Sequence, residues 1–192
     1  IGEGFARRLG RDGMNLILVA RRKDRLEKLK HEIEKNSNVD VIVVPLDLTT
    51  DNFLDELKLV IKEKEIGILI NNAGFGFRGE FVNAEKERYV NMIKLNCLAP
   101  TLLTHQILPQ MIERRKGALI FLGSLVAFQP TPITTLYSAT KVFNAFLSDG
   151  LWYELRKHRI DVLSLNPGGT KTEFQSLANS STGPFQRTVE QV

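Results

Sequence analysis

The strongest constraint on how this chain can fold is an alternation. Five apolar runs of strand length, Met14–Ala20, Val39–Leu46, Ile66–Asn71, Ala118–Gly123 and Ile160–Asn166, are separated by stretches whose apolar residues recur at helical spacing. The runs are nearly continuous in apolar residues, the pattern of strands covered on both faces. The intervening segments each carry one apolar face: Phe5, Ala6 and Leu9 in Gly2–Arg11, and Leu26, Leu29 and Ile33 in Lys23–Lys35. Phe53 or Leu54, with Leu57 and Ile61, form the buried face of a helix that Asp51 can cap. A longer helical pattern runs from Glu85 to Arg115, where Pro100 and Pro109 predict a kink or a break, and another from Tyr137 to Lys157. Strands joined through such helices become parallel neighbours in a sheet with helices on both faces. The expectation is one doubly wound α/β domain over residues 1–192, with loop or weak helix from Gly168 onward.

Composition narrows the function classes. With 192 residues and 43% hydrophobic content, the chain is long enough for one domain with a sizeable core. The net charge of +4 is mild, and the basic residues lie scattered over helical segments, so nucleic acid is not an expected partner. Cys97 is the only cysteine, which excludes an intramolecular disulfide and a cysteine-built zinc site. His31, His105 and His158 lack metal-ligand spacing, so no metal is expected. A reducing, cytoplasmic setting fits this usage. No apolar run reaches the length of a membrane span.

In a doubly wound sheet, ligands bind at the carboxyl ends of the strands. The first run ends in Arg21-Arg22, where arginine can accommodate a 2′-phosphate or simply open a solvated helix. The second ends in Asp47-Leu48-Thr49, with Asp47 a partner for an adenine amino group or a loop cap. The third ends in Asn71-Asn72-Ala73-Gly74, which lets a ligand approach the main chain closely. The fourth ends at Ser124, thirteen residues before Tyr137, and the fifth in the turn from Asn166 to Thr172. Tyr137 and Lys141, four apart, share one helix face. An ammonium beside a phenol lowers its pKa from the ordinary value near ~10, which suits the phenol to proton transfer. Polar or glycine-rich residues at five successive strand ends point to one site.

In this order and spacing, the residues resemble the short-chain dehydrogenase/reductase family over essentially the whole chain. The family's Asn-Asn-Ala-Gly falls on Asn71–Gly74, its serine on Ser124, its Y-x-x-x-K pair on Tyr137 and Lys141, its P-G-x-x-x-T turn on Pro167–Thr172, and its helix asparagine on Asn96. The resemblance implies a Rossmann-type fold and an NADP(H)-dependent oxidoreductase acting on a carbonyl/alcohol pair. Tyr137 would be the general acid in reduction and the base in oxidation. Lys141 would lower its pKa and bond the nicotinamide ribose, and Ser124 would hold the substrate oxygen. Asn96 would support a water that links Lys141 to solvent. For the cofactor, Arg21 resembles the 2′-phosphate ligand, with Arg22 a second contact. Asp47 and Leu48 would flank adenine, and Asn72, Ala73 and Gly74 its ribose. Pro167, Gly168, Thr170 and Thr172 would flank the nicotinamide.

Two departures stand out. Of the family's glycine turn for the pyrophosphate, only the last two positions are present, as Ile1 and Gly2. The family also usually continues beyond Val192. The chain therefore reads as the middle of a larger protein, lacking the first strand and a C-terminal part. Gly123 also replaces the serine that often precedes the catalytic one. The family further suggests a homodimer or homotetramer formed through the two long helices, where Phe143 and Trp152 are core or subunit-contact residues. Phe75, Phe77, Val126, Phe128 and Phe174 follow strand ends, where they either line the substrate entrance or belong to the core; on the first reading the expected substrate is a hydrophobic ketone or acyl compound. One rival is a non-catalytic dinucleotide-binding or scaffold protein of the same fold. A sugar-nucleotide epimerase can share Y-x-x-x-K, but Asn71–Gly74 favours the reductase type.

Overall fold

The structure is a computed structural model that describes residues 1–171 and 186–192. Among these residues the strands form two parallel sheets, one of two strands and one of three, and the chain divides into two compact units, Ile1–Leu57 and Lys58–Val192.

In the first unit, α1 (Gly2–Arg11) leads into β1 (Leu16–Ala20), α2 (Lys23–Asn36) and β2 (Val41–Pro45). β1 and β2 pair in parallel, from Leu16 opposite Val41 to Ala20 opposite Pro45. Ala6, Leu16, Leu29, Ile33 and Val41 form the buried cluster, with Leu9, Leu18 and Val39 packed against it. The helix faces read from spacing are thus the faces that are buried. Close packing of α1 on α2 requires Gly10, where a Cβ would lie 2.6 Å from Ile33 Cγ2.

Helix α3 (Phe53–Ile61) follows, and buries Phe53, Leu57 and Ile61. The second unit then contains β3 (Ile68–Asn71), α4 (Lys86–Ile93), α5 (Ala99–Arg114), β4 (Gly117–Leu122), α6 (Thr135–Leu155) and β5 (Ile160–Leu165). β4 lies between β3 and β5, parallel to both. Phe121 and Leu119 in this central strand are fully buried. α5 packs on β3 and β4, and α6 on β4 and β5.

The long helical pattern breaks where the sequence predicted, but by an unexpected device. Lys94–Leu98 forms a π turn between α4 and α5, in which the Ala99 N–H reaches the carbonyl of Lys94. Pro100 falls in the first turn of α5, where its missing N–H is tolerated, and Pro109 is accommodated inside that helix. Among the described residues, no helix is long and apolar enough to cross a membrane.

Candidate active site

In the first unit, the strand ends carry the residues expected of them. Arg21 follows β1 with an exposed side chain, and its Nη1 lies 3.9 Å from Asp47 Oδ2 beyond β2. Arg22 stands at the N-terminus of α2, and Leu48 is buried. Asp47 acts as a loop cap: its Oδ1 accepts from the Thr49 N–H at 2.9 Å and the Thr49 hydroxyl at 2.8 Å. Burial pushes the Asp47 carboxyl up, but the Thr49 hydrogen bonds and Arg21 outweigh it and hold the group below the ordinary carboxylate value. Ile1 and Gly2 form the N-terminus of α1.

The second unit brings together Ser124, Tyr137, Lys141 and Asn96. β4 ends at Leu122, Ser124 caps a short 3₁₀ turn over Leu125–Phe128, and α6 begins at Thr135. This path returns Tyr137 to Ser124, whose side chain hydrogen-bonds the phenol. One turn along α6, Lys141 is buried, and its Nζ lies 5.7 Å from the Tyr137 ring centroid. That ammonium donates to the Leu122 carbonyl at 2.5 Å.

The electrostatics correct one sequence expectation. Tyr137 is not lowered: burial pushes its phenol up to about 12, against the opposing hydrogen bond from Ser124. Lys141 is itself pulled down to about 8 by burial. Desolvation is the largest cause of both shifts. Tyr137 carries its proton firmly at neutral pH, and Lys141 is close to its own titration.

Asn96, in the π turn, is buried at 1% exposure. Its carboxamide clamps Phe75, accepting from the Phe75 N–H at 3.1 Å and donating to the Phe75 carbonyl at 2.9 Å. Nδ2 also donates to Thr140 Oγ1 at 3.0 Å, and that hydroxyl donates to the Tyr137 carbonyl at 2.7 Å. Phe75, which follows the Asn72–Gly74 loop, is thereby tied to α6. A Cβ at Gly74 would lie 3.0 Å from Asn96 Oδ1, so a side chain there would press on the Asn96 carboxamide. At the end of β5, Pro167 and Gly168 lie beside the same 3₁₀ turn: the Leu125 N–H donates to the Pro167 carbonyl at 3.1 Å. Thr170 is buried, and its hydroxyl donates to the Gly168 carbonyl at 3.1 Å. Thr172 and Phe174 lie outside the described residues.

Asn166 is a residue that turn chemistry alone did not single out. Its Oδ1 accepts from the Ser124 N–H at 3.1 Å, while Nδ2 donates to Ser164 Oγ at 3.0 Å. Gly123 makes this possible, because a Cβ at that position would fall 1.8 Å from Asn166 Oδ1. The glycine in place of the family's frequent serine is thus matched to Asn166. Gly123→Ala should therefore displace Ser124, lowering kcat about 10- to 100-fold and stability by roughly 1–3 kcal/mol. Adding Asn166→Ala removes the clash, and thermal melts should show stability recovering. Wild-type turnover in the single variant would contradict this coupling. The pairing of positions 123 and 166 could not be read from sequence, since both are ordinary loop residues at the ends of neighbouring strands.

Comparisons with known proteins identify the relatives of this chain. The family model for short chain dehydrogenases matches residues 1–182. A human very-long-chain 3-oxoacyl-CoA reductase is 33% identical over 92% of this chain and 58% of its own length. The chain thus spans just over half the length of the curated relatives it matches. Among solved structures, a short-chain dehydrogenase from Sphingobium yanoikuyae in complex with NADPH is 37% identical, with a TM-score of 0.94, covering 98% of this chain and 75% of that one. A bulky-bulky ketone specific alcohol dehydrogenase from Comamonas testosteroni is also 37% identical, with a TM-score of 0.85, covering 88% of this chain and 68% of that one. With parallel sheets flanked by helices and a serine, a tyrosine and a lysine gathered beside the end of β4, this chain belongs to the short-chain dehydrogenase family.

Proposed function

We propose that residues 1–192 act as one dinucleotide-binding catalytic domain of an NADP(H)-dependent oxidoreductase. Its reaction interconverts a hydrophobic ketone or acyl carbonyl and the corresponding alcohol, with Tyr137 as general acid and base. The observation that carries this reading is the Ser124–Tyr137 hydrogen bond beside the buried Lys141 ammonium.

The residues present fit the cofactor. Lys141 carries three ammonium protons and, among the described residues, donates to Leu122, which suits it to bond ribose hydroxyls as well. Gly74 offers main chain with no side chain in the way. Arg21, with its exposed guanidinium, suits a 2′-phosphate, with Arg22 beside it. Ile1 and Gly2 lie at a helix N-terminus, which favours an anion. Asp47 and Leu48 for adenine, Asn72 and Ala73 for its ribose, and Pro167, Gly168, Thr170 and Thr172 for the nicotinamide complete the assignment. When bound, NADP(H) supplies or takes up the hydride.

The protein's own part is proton transfer and orientation. Ser124 and Tyr137 together hold the substrate oxygen. As that oxygen becomes an alkoxide, a far stronger base than a phenolate, the Tyr137 proton moves to it. The phenolate left behind is stabilised by the Ser124 hydroxyl and by the Lys141 charge. In alcohol oxidation the same groups run in reverse.

The apolar substrate is supported by the side chains gathered beside Tyr137, where Phe77, Phe81, Met92, Ile133 and Leu136 stand with Tyr89 and Thr135. Leu125 and Phe128, just after Ser124, are 57% and 69% exposed. The names of the reductase and the bulky-ketone dehydrogenase among the relatives point the same way. We extend the reading to a cytoplasmic homo-oligomer, supported by the lone Cys97 and by Phe143, Phe146, Trp152 and Tyr153 exposed on α6.

Cofactor preference is tested at Arg21. Arg21→Asp should weaken NADPH binding by about 10- to 100-fold, the loss of one charge-assisted phosphate contact worth roughly 1.5–3 kcal/mol. NADH binding should change little or improve. An unchanged ratio of the two dissociation constants would remove Arg21 from the phosphate site.

A further inference from the structure

Asn144 lies three residues after Lys141 on the buried face of α6 and is 5% exposed. Its Nδ2 donates to the main-chain carbonyl of Asn96 at 2.9 Å. That carbonyl needs an outside donor for a reason written in the sequence. The residue four places on, which would supply the helical N–H, is Pro100. The other end of the same side chain, Asn144 Oδ1, is buried with no hydrogen-bond partner among the described residues. A buried amide satisfied at one end only is a poorer packing choice than an apolar side chain of similar size. What its satisfied end holds is therefore the informative part.

We infer that Asn144 is a positioning residue of the active site. Its amide takes the carbonyl that Pro100 orphans and so fixes the π turn in the register at which Asn96 clamps Phe75 and Thr140. The path is short and made of direct hydrogen bonds: Asn144 to the Asn96 carbonyl, the Asn96 carboxamide to Thr140, and Thr140 to the carbonyl of Tyr137. This inference rests on the reading of the site as an NADP(H)-dependent carbonyl reductase.

The test uses the full-length protein with Asn144→Leu and Asn144→Asp, each also in a Pro100→Ala background. Asn144→Asp keeps shape and an acceptor and, once ionised, cannot donate to the Asn96 carbonyl, so this variant is read at a pH above the titration of its buried carboxyl. Both single variants should lower kcat by about 10- to 100-fold, with the ketone KM and the NADPH dissociation constant within about twofold. Pro100→Ala restores a main-chain N–H at the position that in α-helical register serves the Asn96 carbonyl, so the same Asn144 changes should lower kcat less in that background. Hydrogen exchange across Asn96–Thr101 should quicken in Asn144→Asp, whether or not turnover is measured. Equal kcat losses in both backgrounds, or unchanged exchange in that segment, would overturn the assignment. So would a lowered melting temperature with wild-type kcat. Should Asn144→Leu fail to fold, Asn144→Asp decides. A wild-type protein that turns over no ketone counts against the functional reading, and the exchange experiment still decides the role of Asn144.

Discussion

Tyr137→Phe is expected to slow ketone reduction by about 10²- to 10⁴-fold, the range for removing a positioned general acid, while the protein still folds and binds NADPH. The phenol ring stands beside Leu136 and Met92, and phenylalanine keeps a ring of the same shape there. What is lost is the proton and the hydrogen bond with Ser124. The effect should fall on kcat, because the proton is needed as charge develops on the substrate oxygen. Steady-state kinetics with NADPH titration separates the two parameters. A variant with near-normal kcat would move the proton donor to another group.

Lys141→Met is expected to damage activity and stabilise the fold at neutral pH. Burial pulls the Lys141 pKa from 10.5 to about 8, so the folded state holds a proton less tightly than the unfolded chain. Between those values the unfolded state binds more protons, and stability should therefore rise as pH climbs from about 8 toward 10.5. At neutral pH the full penalty is present, on the order of 3 kcal/mol at ~1.4 kcal/mol per tenfold in the protonation constant. Removing the ammonium also leaves the Leu122 carbonyl without its donor, which offsets roughly 1–3 kcal/mol. A small net gain should remain at neutral pH and shrink toward pH 10. Tyr137 acts with the opposite sign in a higher window: its pKa is raised from 10.0 to about 12, so the stability it contributes is lost between those values. Denaturant titrations of wild type and Lys141→Met across this range would show the crossing curves. A variant less stable than wild type by the same margin at every pH would contradict the buried-charge explanation.

Much of the architecture was legible because single-segment periodicity decides it. Leu26, Leu29 and Ile33 could face nothing but a core, and the valine-rich run at Val41–Val44 forms the expected strand, although only Val41 in it is buried and its neighbours are half-buried. The π turn was not legible: Pro100 announces a break, but whether the chain kinks, frays or inserts an extra residue depends on which donor meets the freed carbonyl. Asn144, 48 residues away, is that donor. The phenol misled for a related reason. Y-x-x-x-K spacing guarantees that an ammonium is near Tyr137, yet the depth of burial, which pattern alone does not give, sets the sign of the shift. Gly123 and Asn166 matter through one contact across adjacent strands, and strand-end composition gives no hint of such matched pairs.

The most direct measurement is NADPH oxidation by the full-length protein with bulky apolar ketones, set beside NADH and beside small polar sugars. The expected result is turnover that is faster with NADPH than with NADH and faster on the bulky ketones. NADPH binding without turnover of any carbonyl compound would contradict it and leave a dinucleotide-binding protein of this fold.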